Sequence, residues 1–259
     1  MKIVSWNCQY GFDKKKPEVI KKYNASILII PECRKIDMKD SGYDEDHRDW
    51  YGDDKEATDH EENINEKRSL GIGVFWKESI TVSRLQEWDK TWKNESNFRY
   101  LVPYTVEGNF EPFTLIAVWT KGKSDPSDID YVQKAHAAVD QYKIAGLLDG
   151  RVVLIGDFNS NVIWDKLYKD DRNHSALVKK LNGMRIQECS FTEKDKSYYT
   201  YCYFKGKLNE VVDDYCFASV DIAKTAKFSV PGSDEWTLEN GVKRWNGSDH
   251  CPISVEFDL

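Results

Sequence analysis

RVVLIGDFNSN, residues 151–161, decides how this chain is read. Val152–Ile155 is a continuous apolar run, as in a strand covered on both faces. Asp157 and Asn159 follow at its carboxyl end, where a sheet protein can project polar side chains into a cleft without burying them. The same arrangement recurs along the chain. KIVSW ends on Asn7, SILIIP on Glu32 and EVV on Asp213 and Asp214, while Asp249 and His250 stand immediately before CPISVEF.

Working outward, apolar alternation predicts strands over Ile3–Asn7, Ser26–Pro31, Ser69–Trp76, Ile80–Leu85, Phe98–Val106, Phe113–Thr120, Tyr198–Phe204, Val211–Phe217, Ala226–Val230 and Pro252–Phe257. Lys205-Gly206-Lys207 suits a hairpin turn. Ser127–Leu148 predicts the longest helix: Val132, Ala135, His136, Val139 and Tyr142 recur at helical steps, Ser127 or Asp128 would cap it, and Gly150 follows. Shorter helices are expected over Pro17–Tyr23 and His174–Leu181. There are too many strands for one parallel sheet, so two packed sheets with helices outside are expected. Neither a repeat nor a Gly/Ser-rich linker divides the chain, and residues 1–259 read as a single α/β domain.

The net charge of −7 argues against a polyanionic substrate, but it is unevenly distributed. Residues 37–66 hold 13 acidic and 3 basic side chains, and the remainder carries a net charge of +3. The acidic stretch reads as a solvated loop. The rest is close enough to neutral to bind a phosphodiester. No apolar run reaches the roughly 18 residues of a membrane span. MKIVSWN opens as a strand rather than as a leader peptide, so a cytoplasmic protein without membrane contact is expected. The six cysteines form no CxxC pair and no zinc spacing, and reduced structural thiols are expected.

The polar residues at the strand ends carry the chemistry. Converging carboxylates repel one another and need a cation. With oxygen donors and few histidines that cation should be hard, Mg²⁺ or Mn²⁺ rather than Zn²⁺.

WNCQ with Asn7, IIPEC with Glu32, GDFNSN with Asp157 and Asn159, and GSDHCPI with Asp249 and His250 occur in that order. Together they resemble the endonuclease/exonuclease/phosphatase superfamily, which includes exonuclease III, abasic-site endonucleases, DNase I, sphingomyelinases and inositol-phosphate 5-phosphatases. The resemblance spans residues 3–257. It implies a four-layered α/β sandwich of two mainly antiparallel sheets flanked by helices, and a divalent-metal-dependent phosphoesterase.

Phosphoester hydrolysis needs an activated water, neutralised phosphoryl oxygens and a stabilised leaving group. On this reading Glu32 is the leading metal ligand, with Asn7 beside it and Asp249 helping. Asp157 would align and deprotonate water, Asn159 would bond the phosphoryl oxygen or that water, and His250 would contact the phosphate or donate a proton. VVDDYCFAS resembles the family strand whose Asp supports the histidine. The match selects Asp214, with Asp213 facing away if the strand alternates there. The chain departs from the family at Trp119, where relatives carry Tyr or His, and Thr120, Lys121 and His174 are the candidates to substitute. Trp119, His174 and Arg99 are therefore candidate substrate contacts, and Lys121 a further phosphate contact. Tyr198, Tyr199, Tyr201, Tyr203 and Phe204 either alternate between core and surface or stack on bases. The leading expectation is an exonuclease III-like nuclease acting on DNA before RNA. A phosphoesterase for a small phosphorylated compound or lipid headgroup comes second, and a catalytically silent binding module third.

Overall fold

The computed structural model describes residues 1–12, 19, 22–39, 41–53, 69–85, 100–122, 129–168, 171–189, 198–230 and 235–259. Two six-stranded mixed sheets dominate it. The first joins β13 (Lys227–Ser229), β16 (Ile253–Glu256), β1 (Lys2–Ser5), β2 (Ile27–Arg34), β4 (Leu70–Trp76) and β3 (Arg48–Asp53), in that order. The second joins β5 (Thr81–Arg84), β6 (Leu101–Gly108), β7 (Phe110–Trp119), β8 (Val152–Asp157), β12 (Asp214–Ser219) and β9 (Ile186–Glu188). Among the described residues only β1–β2 and β7–β8 pair in parallel. Two hairpins stand outside the sheets: β10 (Tyr201–Phe204) with β11 (Leu208–Val211), and β14 (Trp236–Glu239) with β15 (Val242–Trp245).

The apolar runs are continuous because both faces of each sheet are covered. On β2, Ile27 and Ile29 face the other sheet, while Leu28 and Ile30 join the opposite cluster with Phe12, Val19, Trp236 and Trp245. On β8, Val153 and Ile155 point between the sheets. Val152 and Leu154 meet α1 (Tyr131–Ile144) and α2 (His174–Gly183) on the far side. Fully burying each such aliphatic side chain contributes roughly 2 kcal/mol. This layering matches the expected α/β sandwich.

The helix expected from Ser127 starts at Tyr131, and the two expected caps lie outside the described residues. Gln133 Oε1 accepts from the Asp130 N–H at 3.1 Å, in the manner of a capping box. Only Val19, Lys22 and Tyr23 of the expected Pro17–Tyr23 helix are described, and all three are helical. α2 is capped by Asn173, whose side chain accepts from the Ala176 N–H.

Three expectations need correction. Val211–Phe217 is not one strand: β11 stops at Val211 and β12 starts at Asp214. The acidic stretch is not simply a solvated loop, because its described part contains β3, an edge strand paired with β4. Charged side chains on an edge strand hide its β-pattern while discouraging edge-to-edge pairing. Residues 40 and 54–66 of that stretch lie outside the described residues. The β14–β15 hairpin was not anticipated, since a two-stranded appendage of mixed polarity has no apolar run to announce it.

All six cysteines are buried, and none forms a disulfide. No helix among the described residues is long and apolar enough to cross a membrane.

Candidate active site

Parallel pairing within each sheet brings the carboxyl ends of β1 and β2, and of β7 and β8, to common edges. Asn7 lies just beyond β1 and joins the two edges. Its Nδ2 donates to Glu32 Oε1 at 3.1 Å and to Asp157 Oδ2 at 3.0 Å. Its Oδ1 accepts from the Gln9 N–H at 3.0 Å. Asn7 therefore fixes two carboxylates drawn from different sheets.

Glu32 is the extra residue of a β-bulge between Pro31 and Cys33, with φ +57°. A bulge re-aims its side chain out of the alternating pattern. Burial raises the Glu32 pKa, while the Asn7 hydrogen bond works against the rise.

Asp157 ends β8 and is paired across the sheet with Trp119 on one side and Asp214 on the other. The preceding Gly156 has φ +147°, and a Cβ there would lie 2.0 Å from Val118 O. Only glycine permits this approach of β7 to β8. The Asn159 N–H and Nδ2 donate to the two Asp157 oxygens at 2.8 and 2.7 Å. Asn159 Nδ2 also donates to Thr120 O at 2.8 Å. Burial raises Asp157 to about 7, Asp214 adds to the rise, and His250 and the hydrogen bonds of Asn7 and Asn159 oppose it.

His250 Nδ1 lies 2.9 Å from Asp214 Oδ2 and 3.8 Å from Asp213 Oδ1. Burial alone would depress this imidazole, but Asp214, Asp213 and Asp157 outweigh it and raise the pKa well above the ordinary value. The segment is held by Ser248, whose Oγ donates to Asn7 O and accepts from the His250 N–H. Trp6 Nε1 donates to His250 O.

Asp213 does not face away. Asp157, Asp213 and His250 each offer an atom within 4.8 Å of the others, all three buried. Alternation fails because Asp213 lies in the break between β11 and β12. There Thr200 Oγ1 accepts from the N–H groups of both Asp213 and Asp214 and contacts Asp213 Oδ1 at 3.3 Å. Among the described residues no donor reaches the buried Asp213 Oδ2 or Asp214 Oδ1. Burial raises the Asp213 pKa well above the carboxylate range.

Asp249 is one-fifth exposed, and its Oδ2 is engaged by Gln9 Nε2 at 3.1 Å and by Arg244 at 3.4 Å. Trp119 is only 3% exposed and packs on Tyr100 between the sheets, which corrects the expected substrate contact. Its indole offers little surface to a ligand, while Lys121 Nζ sits 5.7 Å from its ring. His174 heads α2, packs at a tilt against the Tyr215 ring and shares a 3.0 Å contact with Ser160 Oγ, with no hydrogen bond to the Asp157–His250 cluster. Arg99 lies outside the described residues.

Beside Asn159 and Asp213 an open cleft of about 290 Å³ is lined by Tyr131, Trp164, Tyr168, Tyr201 and Tyr203, with Lys205 at its rim. The Tyr201 and Tyr203 rings stack at 5.5 Å, and Tyr201 lies 4.7 Å from the His250 ring. The Tyr198–Phe204 cluster signalled part of this wall. Tyr131, Trp164 and Tyr168 carried no signal, because they come from a helix start and a 3₁₀ turn remote in sequence.

A sequence model of the Endonuclease/Exonuclease/phosphatase family matches residues 4–250. No curated protein matches the sequence. Among solved structures, the 3′ phosphatase NExo from Neisseria, bound to a product DNA hairpin, superposes with TM-score 0.64 at 15% identity, covering all of both chains. An AP endonuclease from Archaeoglobus fulgidus gives 0.61 at 16%, again over both whole chains. A mannosyl-6-phosphatase from Bacteroides thetaiotaomicron gives 0.58 at 16% with the same coverage. At such identities these likenesses show the fold, and the fold accommodates both DNA and sugar phosphates.

Proposed function

The chain belongs to the endonuclease/exonuclease/phosphatase family of phosphoester hydrolases, and we propose that it is a divalent-metal-dependent phosphodiesterase cleaving nucleic acid, DNA before RNA, in the manner of exonuclease III. On this reading residues 1–259 act as one catalytic unit in the cytoplasm, away from membranes.

The donor set fits a hard cation. Among the described residues Asp157 and Asp213 lie in one buried cluster with His250, Asn7 ties Asp157 to Glu32, and Gln9 holds Asp249. Glu32, Asp249 and the Asn7 carbonyl would hold Mg²⁺, or Mn²⁺ in its place, with Asp157 and Asp213 close by. When bound, the ion would neutralise phosphoryl charge.

The chain's own groups supply the rest. Asp157, clamped by Asn7 and Asn159, would orient the attacking water and accept its proton. The Asn159 amide would bond a phosphoryl oxygen or that water, and Lys121 would add a cation near Glu32. His250, charged and oriented by Asp214, would contact the phosphate and protonate the leaving oxygen.

The aromatic cleft beside Asn159 is the observation that favours nucleic acid. Five aromatic side chains next to the reacting phosphate suit a nucleotide, since base stacking contributes about 1–3 kcal/mol per base. The net charge of −7 favours the second reading, a small phosphoester, because a strong duplex binder usually displays a basic stripe.

A panel of abasic duplex, plain duplex, single-stranded DNA, RNA and small phosphoesters, with Mg²⁺ or excess chelator, tests both. Mg²⁺-dependent cleavage of the nucleic acids is expected. Full activity in chelator would sink the metal reading, and turnover confined to the small phosphoesters would sink the nuclease reading.

A further inference from the structure

The turn after Asn7 is strained. Gln9 and Tyr10 have φ of +46° and +63°, and the Gly11 N–H donates to Cys8 O at 3.1 Å. This is the pattern of a type I′ turn, whose central positions favour Asn and Gly. A tyrosine adopts that conformation only where its surroundings impose it.

The surroundings are parts of the site itself. Asn7 Oδ1 accepts from the Gln9 N–H at 3.0 Å, Gln9 Nε2 donates to Asp249, and Arg244 of the β14–β15 hairpin donates to Gln9 Oε1 at 2.9 Å. The turn is thus tied on one side to the residue bridging Glu32 and Asp157, and on the other to Asp249. Its Tyr10 side chain is 53% exposed and makes no hydrogen bond or ring contact with a described residue. The turn that carries the ring is bonded to Asn7 and Asp249, and Asn7 holds Glu32, which sets it on the Glu32–Asp249 side of the site. The strain is therefore spent on a half-exposed ring to which no described residue gives a hydrogen bond or ring contact.

We propose that Tyr10 is a substrate-binding residue whose ring stacks on a nucleobase flanking the scissile phosphate on the Glu32–Asp249 side. The inference rests on the nucleic-acid reading above. It assigns a contact separate from the Tyr201–Tyr203 cleft, whose lining does not include Tyr10. The Gln9–Arg244–Asp249 network makes the turn rigid, so the ring is oriented before the strand arrives.

Tyr10→Gly provides the test, because glycine relieves the left-handed strain while deleting the ring. The variant should melt about 2–4 °C above wild type. Its affinity for a labelled single-stranded oligonucleotide with phosphorothioate linkages, read by anisotropy in Mg²⁺, should fall about 5- to 100-fold. In steady state KM for oligonucleotide should rise more than kcat falls. Tyr10→Phe, which keeps the ring, should bind like wild type. Wild-type affinity in Tyr10→Gly would overturn the inference and leave the nuclease reading intact. A lower melting point in Tyr10→Gly would make the ring structural, and equal losses in Tyr10→Phe would assign the effect to the hydroxyl; either result overturns stacking. If the wild-type protein neither binds nor cleaves oligonucleotides, this inference and the nuclease reading fall together.

Discussion

Asp157→Asn is expected to abolish hydrolysis and yet stabilise the chelated protein at pH 8. Folded Asp157 keeps its proton to about pH 7, whereas the unfolded chain releases it near 3.8. Between those values the folded state binds more protons, so stability falls as pH rises. A rise from 3.8 to about 7 corresponds to about 4 kcal/mol lost by pH 8. Asparagine carries no charge and escapes this loss. It introduces one mismatch, because both Asp157 oxygens accept hydrogen bonds, and an amide nitrogen must face either the Asn159 N–H or the two side-chain amides. That costs about 1–1.5 kcal/mol. Weaker support for the charged His250 trims the gain further, leaving about 2 kcal/mol. For a chain of this size the variant should melt roughly 4–8 °C above wild type at pH 8 in chelator. Below about pH 4 the advantage should reverse, since wild-type Asp157 is then protonated in both states. Calorimetry of both proteins across this range reads the crossover. A difference in melting temperature independent of pH, or a less stable variant at pH 8, would refute the reasoning.

His250→Ala should lose about 10²–10⁴-fold in turnover, and Asp214→Asn less, because a misoriented imidazole retains some function; steady-state kinetics with circular dichroism checks the order. Asp213→Asn should not be silent, since Asp213 is buried within the cluster; activity equal to wild type would exclude it from the reaction. Gly156→Ala should destabilise by at least about 3 kcal/mol in denaturant unfolding, because its Cβ would strike Val118 O. Thr200→Val should cost about 2–4 kcal/mol by stripping one acceptor from two buried N–H groups, and denaturant unfolding reads this too.

The sandwich was legible in runs such as SILIIP and VVLI because a strand covered on both faces must be apolar at every position, whatever its partners. The positions of Asn7, Glu32, Asp157 and His250 were legible for a related reason. Each is a polar residue where an apolar run begins or ends; parallel pairing carries the ends of β1, β2 and β8 to common edges, and antiparallel pairing of β16 with β1 brings His250 to the same place. Side-chain direction was not legible wherever the backbone departs from regular alternation. The bulge at Glu32, the break before Asp214 and the strained turn at Gln9 and Tyr10 are set by hydrogen bonds to residues far away in sequence. Asp213 was read as facing away because period-two alternation was carried across a break that only Thr200 reveals. Trp119 is a candidate contact because it stands where the resembled family carries Tyr or His, but Tyr100 and the facing sheet close over it. Composition and pattern fix which segments are buried. Which way a side chain points at an irregular residue depends on local φ and ψ, and long-range pairing decides those.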